Sequence, residues 1–146
     1  MAEPITGTLE TLLVVDDTPE VLNVCVEVLR LAGFVVLQAA SGPEAIVIAA
    51  NYSGRIDLLL SDVQMPEISG PDLGSALKRS RPDLHVMMMS GFPGGDLLVL
   101  NYGWAFIEKP FVAKKLVEMI NVVLHTPNKS QGSRQYDTRG DSGKQA

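Results

Sequence analysis

The chain has 146 residues, 46% of them hydrophobic, a single cysteine and a net charge of −5. That is enough apolar material for one core, and the acidic balance argues against nucleic acid as a partner. The lone Cys25 excludes an internal disulfide and fits a reducing compartment. Met1-Ala2-Glu3-Pro4 lacks the basic start and apolar stretch of a signal peptide, and no apolar run approaches bilayer-spanning length. The expectation is a soluble, cytoplasmic domain without a membrane partner. The acidity sits in the body: residues 127–146 hold four basic and two acidic residues, leaving −7 for residues 1–126.

Leu12-Leu13-Val14-Val15 is a short apolar run that stops at Asp16-Asp17, the pattern of a strand buried on both faces. Thr18 is placed to cap a helix and Pro19 suits its first turn. Apolar positions then recur at helical spacing to Leu31, and Gly33 ends the element. Cys25 shares the apolar face of that helix with Val21, Leu22, Val28 and Leu29, so it reads as core rather than nucleophile. Residues 34–39 read as a second strand. Ser41-Gly42-Pro43-Glu44 is a capping-box pattern opening a helix to about Ala50. Residues 57–61 form strand three, with Asp62 directly after it. Ser69 to Asp72 repeats the cap pattern before a helix that ends near Ser80 and Pro82. Residues 84–89 form strand four, stopping at Ser90-Gly91.

From Gly91 to Gly103 the helical signal is weak, because Gly-Phe-Pro-Gly-Gly precedes only a short apolar stretch, residues 97–100. Residues 104–107 are strand five, followed by Glu108-Lys109-Pro110, and residues 112–124 form a last amphipathic helix. His85 and His125 lack metal-ligand spacing and read as structural. Five strand–helix units imply a parallel sheet covered on both faces. The expected organisation is an N-terminal extension over residues 1–9, one domain over 10–125, and a disordered polar tail over 126–146.

Open parallel sheets place their sites at the carboxyl ends of the strands. Side by side, these strands bring Asp16, Asp17, Asp62, Ser90 and Lys109 to one rim. Three acids, a hydroxyl and an ammonium there can hold a divalent cation and accept a phosphoryl group.

The acid pair Asp16-Asp17, the Asp-x-x-Met-Pro-x-x-x-Gly run from Asp62 to Gly70, Ser90-Gly91 and Lys109-Pro110-Phe111 occur in one order, each at a strand end. Over roughly residues 10–125 the chain thereby resembles the receiver domain of two-component response regulators. The resemblance implies a flavodoxin-like, doubly wound five-stranded parallel sheet of order 2-1-3-4-5. It implies Mg²⁺ as cofactor and Asp62 as the phosphoacceptor, phosphorylated by a sensor histidine kinase or a histidine phosphotransfer protein. Lys109-Pro110 resembles the family's cis Lys-Pro bond.

Crowded carboxylates repel, and a hard cation relieves the repulsion. Magnesium keeps several waters, so two carboxylates and one backbone carbonyl are enough protein. Asp17 and Asp62 are the expected direct ligands, Gln64 supplies the carbonyl, and Asp16 acts through water. Lys109, Ser90 and backbone N–H groups stabilise the transferring group. Ser90 and Phe106, which stands three residues before the lysine where tyrosine is common, form the expected switch. The signal would leave through the fourth helix, fifth strand and last helix, to a second copy or an output partner. The stretch from Ser90 to Lys109 is about one turn shorter than is usual for the family, which makes the fourth helix short or irregular. A phosphatase of the haloacid dehalogenase kind would need a general acid two residues after its first-strand nucleophile, where Thr18 and Pro19 stand. The complete acid–hydroxyl–lysine set argues against a degenerate receiver acting as a scaffold. No output domain follows residue 125, so the chain reads as a stand-alone receiver or one cut from a hybrid histidine kinase, and not as an enzyme on other substrates.

Overall fold

The computed structural model describes residues 9–126. The predicted tail beyond Thr126 and the extension before Leu9 lie outside the described residues. The elements are β1 (Thr11–Val15), α1 (Pro19–Leu31), β2 (Val35–Ala39), α2 (Gly42–Asn51), β3 (Leu58–Asp62), α3 (Gly70–Ser80), β4 (His85–Ser90), β5 (Ala105–Glu108) and α4 (Ala113–Leu124). All strand pairs are parallel, in the order β2-β1-β3-β4-β5. That is the predicted doubly wound sheet.

Alternation along each strand feeds two cores. Leu13, Val15, Leu59 and Met88 pack under Ala45 and Ala49 of α2 and Leu73 and Leu77 of α3. Leu12, Val14, Leu58, Leu60 and Met87 pack under Leu22, Cys25 and Leu29 of α1 and Leu116 and Ile120 of α4. Both faces are buried, so the strands read as unbroken apolar runs. Each fully buried leucine contributes about 1.5–3 kcal/mol relative to exposure.

The expected boundaries were off by a residue at most strands. Asp62, Ser90 and Glu108 belong to β3, β4 and β5 rather than following them. Hydropathy marks where side chains turn polar, whereas the ladder is a matter of backbone bonds and continues through those residues.

Helix starts hold in outline. Ser41 Oγ accepts from Glu44 N–H and Ser69 Oγ from Asp72 N–H, both at 3.2 Å. Glu44 does not close the box on its own cap residue; it reaches Ala40 N–H at 2.7 Å. Thr18 stands at the α1 cap position but its side chain makes no cap bond. Arg81 fastens the α2–β3 connection, donating to the carbonyls of Ala49, Tyr52 and Gly54 at 2.8–3.0 Å.

The fourth connection is not a helix. Two short 3₁₀ turns, Gly95–Leu98 and Leu100–Tyr102, carry the chain from β4 to β5. Gly94 and Gly103 precede and follow them with φ of +84° and +72°, a region that suits glycine. Val99 is buried and anchors the segment, while Leu97 and Leu100 face solvent. Trp104 stacks on Tyr102 with ring centroids 4.3 Å apart, and its ring lies against Gly74 of α3, where a Cβ would not fit.

Both histidines are structural and sit at the end of the sheet where β4 begins. The ring nitrogens of His85 lie 3.3 Å from Asp57 O and 3.1 Å from Thr126 O, and His125 approaches Glu10 at 3.7 Å. No described helix is long and apolar enough to cross a membrane.

Candidate functional site

The carboxyl edge gathers the residues singled out above. β1 delivers Asp16 and Asp17, β3 delivers Asp62, β4 delivers Ser90, and β5 runs into Lys109. Oxygens of Asp16, Asp17 and Asp62 lie within 4.8 Å of one another. Asp17 is exposed, whereas Asp16 is fully buried and the Asp62 side chain is 13% exposed.

Both oxygens of Asp16 are occupied. Oδ1 accepts from Thr18 N–H at 2.8 Å and Oδ2 from Lys109 Nζ at 2.9 Å. The same ammonium lies 3.5 Å from Asp62 Oδ1. Lys109 thus bridges the buried acid and the acid at the strand end. It is aimed by Lys109 N–H donating to Ser90 O at 2.8 Å, and the Lys109–Pro110 bond is cis.

Burial pushes the Asp62 carboxyl above its ordinary range. Lys109 opposes that shift, and the charges of Asp16 and Asp17 add to it. Burial alone would lower Lys109, but its hydrogen bond to Asp16 and the charge of Asp62 outweigh it and the ammonium is held on. Two groups that sequence placed 47 residues apart therefore set each other's charge.

Ser90 is 1% exposed, and its Oγ accepts from Phe92 N–H at 3.2 Å. That bond uses an acceptor site and leaves the hydroxyl proton free to donate. Phe106 pairs in register with Met88 and is half-buried against the same core, one strand away from Ser90. Gln64 is exposed on the loop after β3. Beside the rim, an open groove of about 510 Å³ runs between α1 and the β5–α4 connection, lined by Val21, Val24, Cys25, Lys109 and Phe111. Burial, with the charge of Asp16, pushes the Cys25 thiol up to about 11, so it stays protonated and its core reading stands.

The loop after β3 explains the Asp-to-Gly spacing. A Cβ on Gly70 would overlap the Asp62 carbonyl and meet Met88 Sδ at 2.8 Å, so only glycine lets α3 start this close to the site. Gly70 N–H donates to Val63 O at 2.8 Å and ties the loop shut. Within it, Ile68 N–H donates to Pro66 O at 2.8 Å around Glu67, whose φ is +72°. This is a γ-turn of the strained, positive-φ kind. Sequence reasoning missed it, since glutamate carries no preference for that region.

A family model for the response regulator receiver domain matches residues 12–121. The chain belongs to that family. The receiver is 34% identical over 117 residues to the sensor kinase CckA of Brucella abortus, covering 78% of the chain but only 12% of that kinase. It is also similar to the solved receiver domain of the hybrid histidine kinase CckA, at 36% identity and a TM-score of 0.68, covering 79% of the chain and 99% of that domain. A receiver domain protein from Clostridium thermocellum superposes with a TM-score of 0.73 at 29% identity, covering 80% of the chain and 94% of its own. The protein is accordingly a signalling domain of two-component systems, a class that works with histidine kinases or phosphotransfer proteins.

Proposed function

We propose that Asp62 is the phosphoacceptor and that this receiver takes its phosphoryl group from a phosphohistidine donor. The observation that carries the reading is the Lys109 ammonium set between Asp16 and Asp62 at the rim where Asp17 also points. Asp62 forms the new O–P bond as the P–N bond to the donor imidazole breaks, its electron pair returning to the ring. Lys109 and the Ser90 hydroxyl stabilise charge on the phosphoryl oxygens.

Three carboxylate oxygens within 4.8 Å, one of them exposed, suit a hard oxygen-loving cation with room for its waters. Asp17 and Asp62 would hold Mg²⁺ directly with the Gln64 carbonyl, while Asp16 acts through water because its own oxygens are taken. When bound, the cation neutralises the crowded acids and the incoming phosphoryl charge. Ser90 and Phe106 form the switch, and Leu97, Leu100 and Tyr102 offer the output or self-association surface, on 3₁₀ turns in place of the predicted fourth helix. The working unit is residues 10–125. It acts in the cytoplasm, stand-alone or within a hybrid kinase, and turns over no substrate besides its own phosphoryl group.

The test is intact mass after incubation with acetyl phosphate and Mg²⁺. One phosphoryl adduct is expected in the wild type and none in Asp62→Asn. Asp17→Asn should weaken Mg²⁺ binding and phosphorylation together. An adduct that persists in Asp62→Asn, or unchanged magnesium affinity by calorimetry in Asp17→Asn, overturns the assignments.

A further inference from the structure

Four polar residues are buried in the described fold: Thr11, Asp16, Ser61 and Ser90. Asp16 and Ser90 belong to the site above. Thr11 starts β1, where its N–H donates to Asp57 Oδ2 at 2.8 Å. Ser61 is the remaining one, and it stands beside the site. It is 0% exposed, it lies in an otherwise apolar strand, and the residue after it is Asp62.

The hydroxyl of Ser61 donates to the carbonyl of Asp62 at 2.9 Å. The register explains the need. β1 pairs with β3 only as far as Val15 opposite Ser61, so the Asp62 carbonyl lies past the end of that ladder. A buried carbonyl without a partner is costly, and here a side chain one residue back supplies the bond. The same carbonyl is the atom that a Cβ on Gly70 would strike, so it is held between the Ser61 hydroxyl and the first turn of α3. On the other edge, Val63 N–H donates to Met89 O at 2.9 Å. The peptide joining Asp62 to Val63 is thus fixed on both sides. Its orientation sets where the Asp62 carboxylate points and where the chain toward Gln64 departs.

We infer that Ser61 is a positioning residue for the site: its hydroxyl sets the backbone of Asp62, and through it both the Asp62 carboxylate and the Gln64 carbonyl. The inference rests on the reading of Asp62 as phosphoacceptor and deepens it. Ser61 touches neither phosphoryl group nor cation.

A merely structural hydroxyl would change melting temperature and leave chemistry alone, so the experiment separates the two. Ser61→Ala, Ser61→Cys and Ser61→Thr are compared with wild type. Cysteine keeps the volume without a strong donor, and threonine keeps the donor. Well below the melting temperature, magnesium affinity is read by calorimetry and the rate of adduct formation from acetyl phosphate by intact mass. Loss of one buried hydrogen bond predicts that Ala and Cys each weaken magnesium binding and slow phosphorylation by about three- to tenfold, with Thr restoring most of both. If Ala does not fold, Cys carries the same expectation. Magnesium affinity and rate within about twofold of wild type in the Cys variant would overturn the inference, as would a Thr variant no better than Cys. Absence of any adduct on wild-type Asp62 overturns the site reading, and this inference with it.

Discussion

Without metal, Asp62 should be a liability to the fold, and Asp62→Asn should stabilise it. With oxygens of Asp16 and Asp17 no more than 4.8 Å away, the repulsion from Asp16 is about 3.5 kcal/mol at an effective dielectric of ~20. Asp17 is exposed and adds about 1 kcal/mol, nearer the value in water. Lys109 at 3.5 Å returns about 4.7 kcal/mol. These terms nearly cancel, so burial decides the sign, in agreement with a carboxyl held above its ordinary range mainly by burial. A raised folded-state pKa means that the folded protein prefers the protonated form. The associated stability is present in full below the unfolded value of about 3.9 and is lost as pH rises through the raised folded value. At pH 7 the ionised Asp62 is therefore a net cost, of about 1 kcal/mol, and removing its charge should raise the melting temperature by about 4 °C. The assay is thermal unfolding by circular dichroism in EDTA at pH 7 and pH 3.5, and again at pH 7 with Mg²⁺. Asp62→Asn should melt higher at pH 7 in EDTA, lose its advantage at pH 3.5, and gain less from Mg²⁺ than wild type. A variant that melts at or below wild type at pH 7 in EDTA, or keeps the same advantage at pH 3.5, refutes the reasoning.

Gly70→Ala should cost about 1–3 kcal/mol by overpacking, because the new methyl group meets the Asp62 carbonyl and the Met88 sulfur. The loss appears as a lower denaturation midpoint together with weaker magnesium binding. Glu67→Gly should raise stability by about 1 kcal/mol by relieving the positive φ of the γ-turn, measured as a higher midpoint in urea.

The rim was legible because acids, a hydroxyl and a lysine follow apolar runs, and a parallel sheet sends such positions to one edge. The connection between β4 and β5 was legible only as a weakness. Glycines at 91, 94, 95 and 103 argue against a helix, yet nothing in them specifies two 3₁₀ turns held down by Val99. Asp16 showed the limit of reading residues singly. Its place after an apolar run marks it as a rim acid, but does not reveal that one oxygen holds the backbone N–H of Thr18 while the other holds Lys109. Ser61 passed as filler in strand three, since its role depends on where β1 stops pairing, which no local pattern records. Thr18 misled in the opposite way: the right residue stands at the cap position, yet its side chain makes no cap bond, and its own N–H donates to Asp16.

Among the described residues β5 is the shortest strand, with four residues bonded along one side only, to β4. The chain reaches it through turns that leave Leu97 and Leu100 in water. Thin packing and a free edge place a segment at the low end of local unfolding energies. Partial opening of this protein should therefore start by peeling residues 91–109 away while β1, β3 and both large cores stay folded. Lys109 departs with that segment, and Asp16 is left buried without its cation. Such an open state is costly for the acids and inert toward phosphoryl donors, so the fraction of molecules competent for transfer is set by how often the edge is zipped shut.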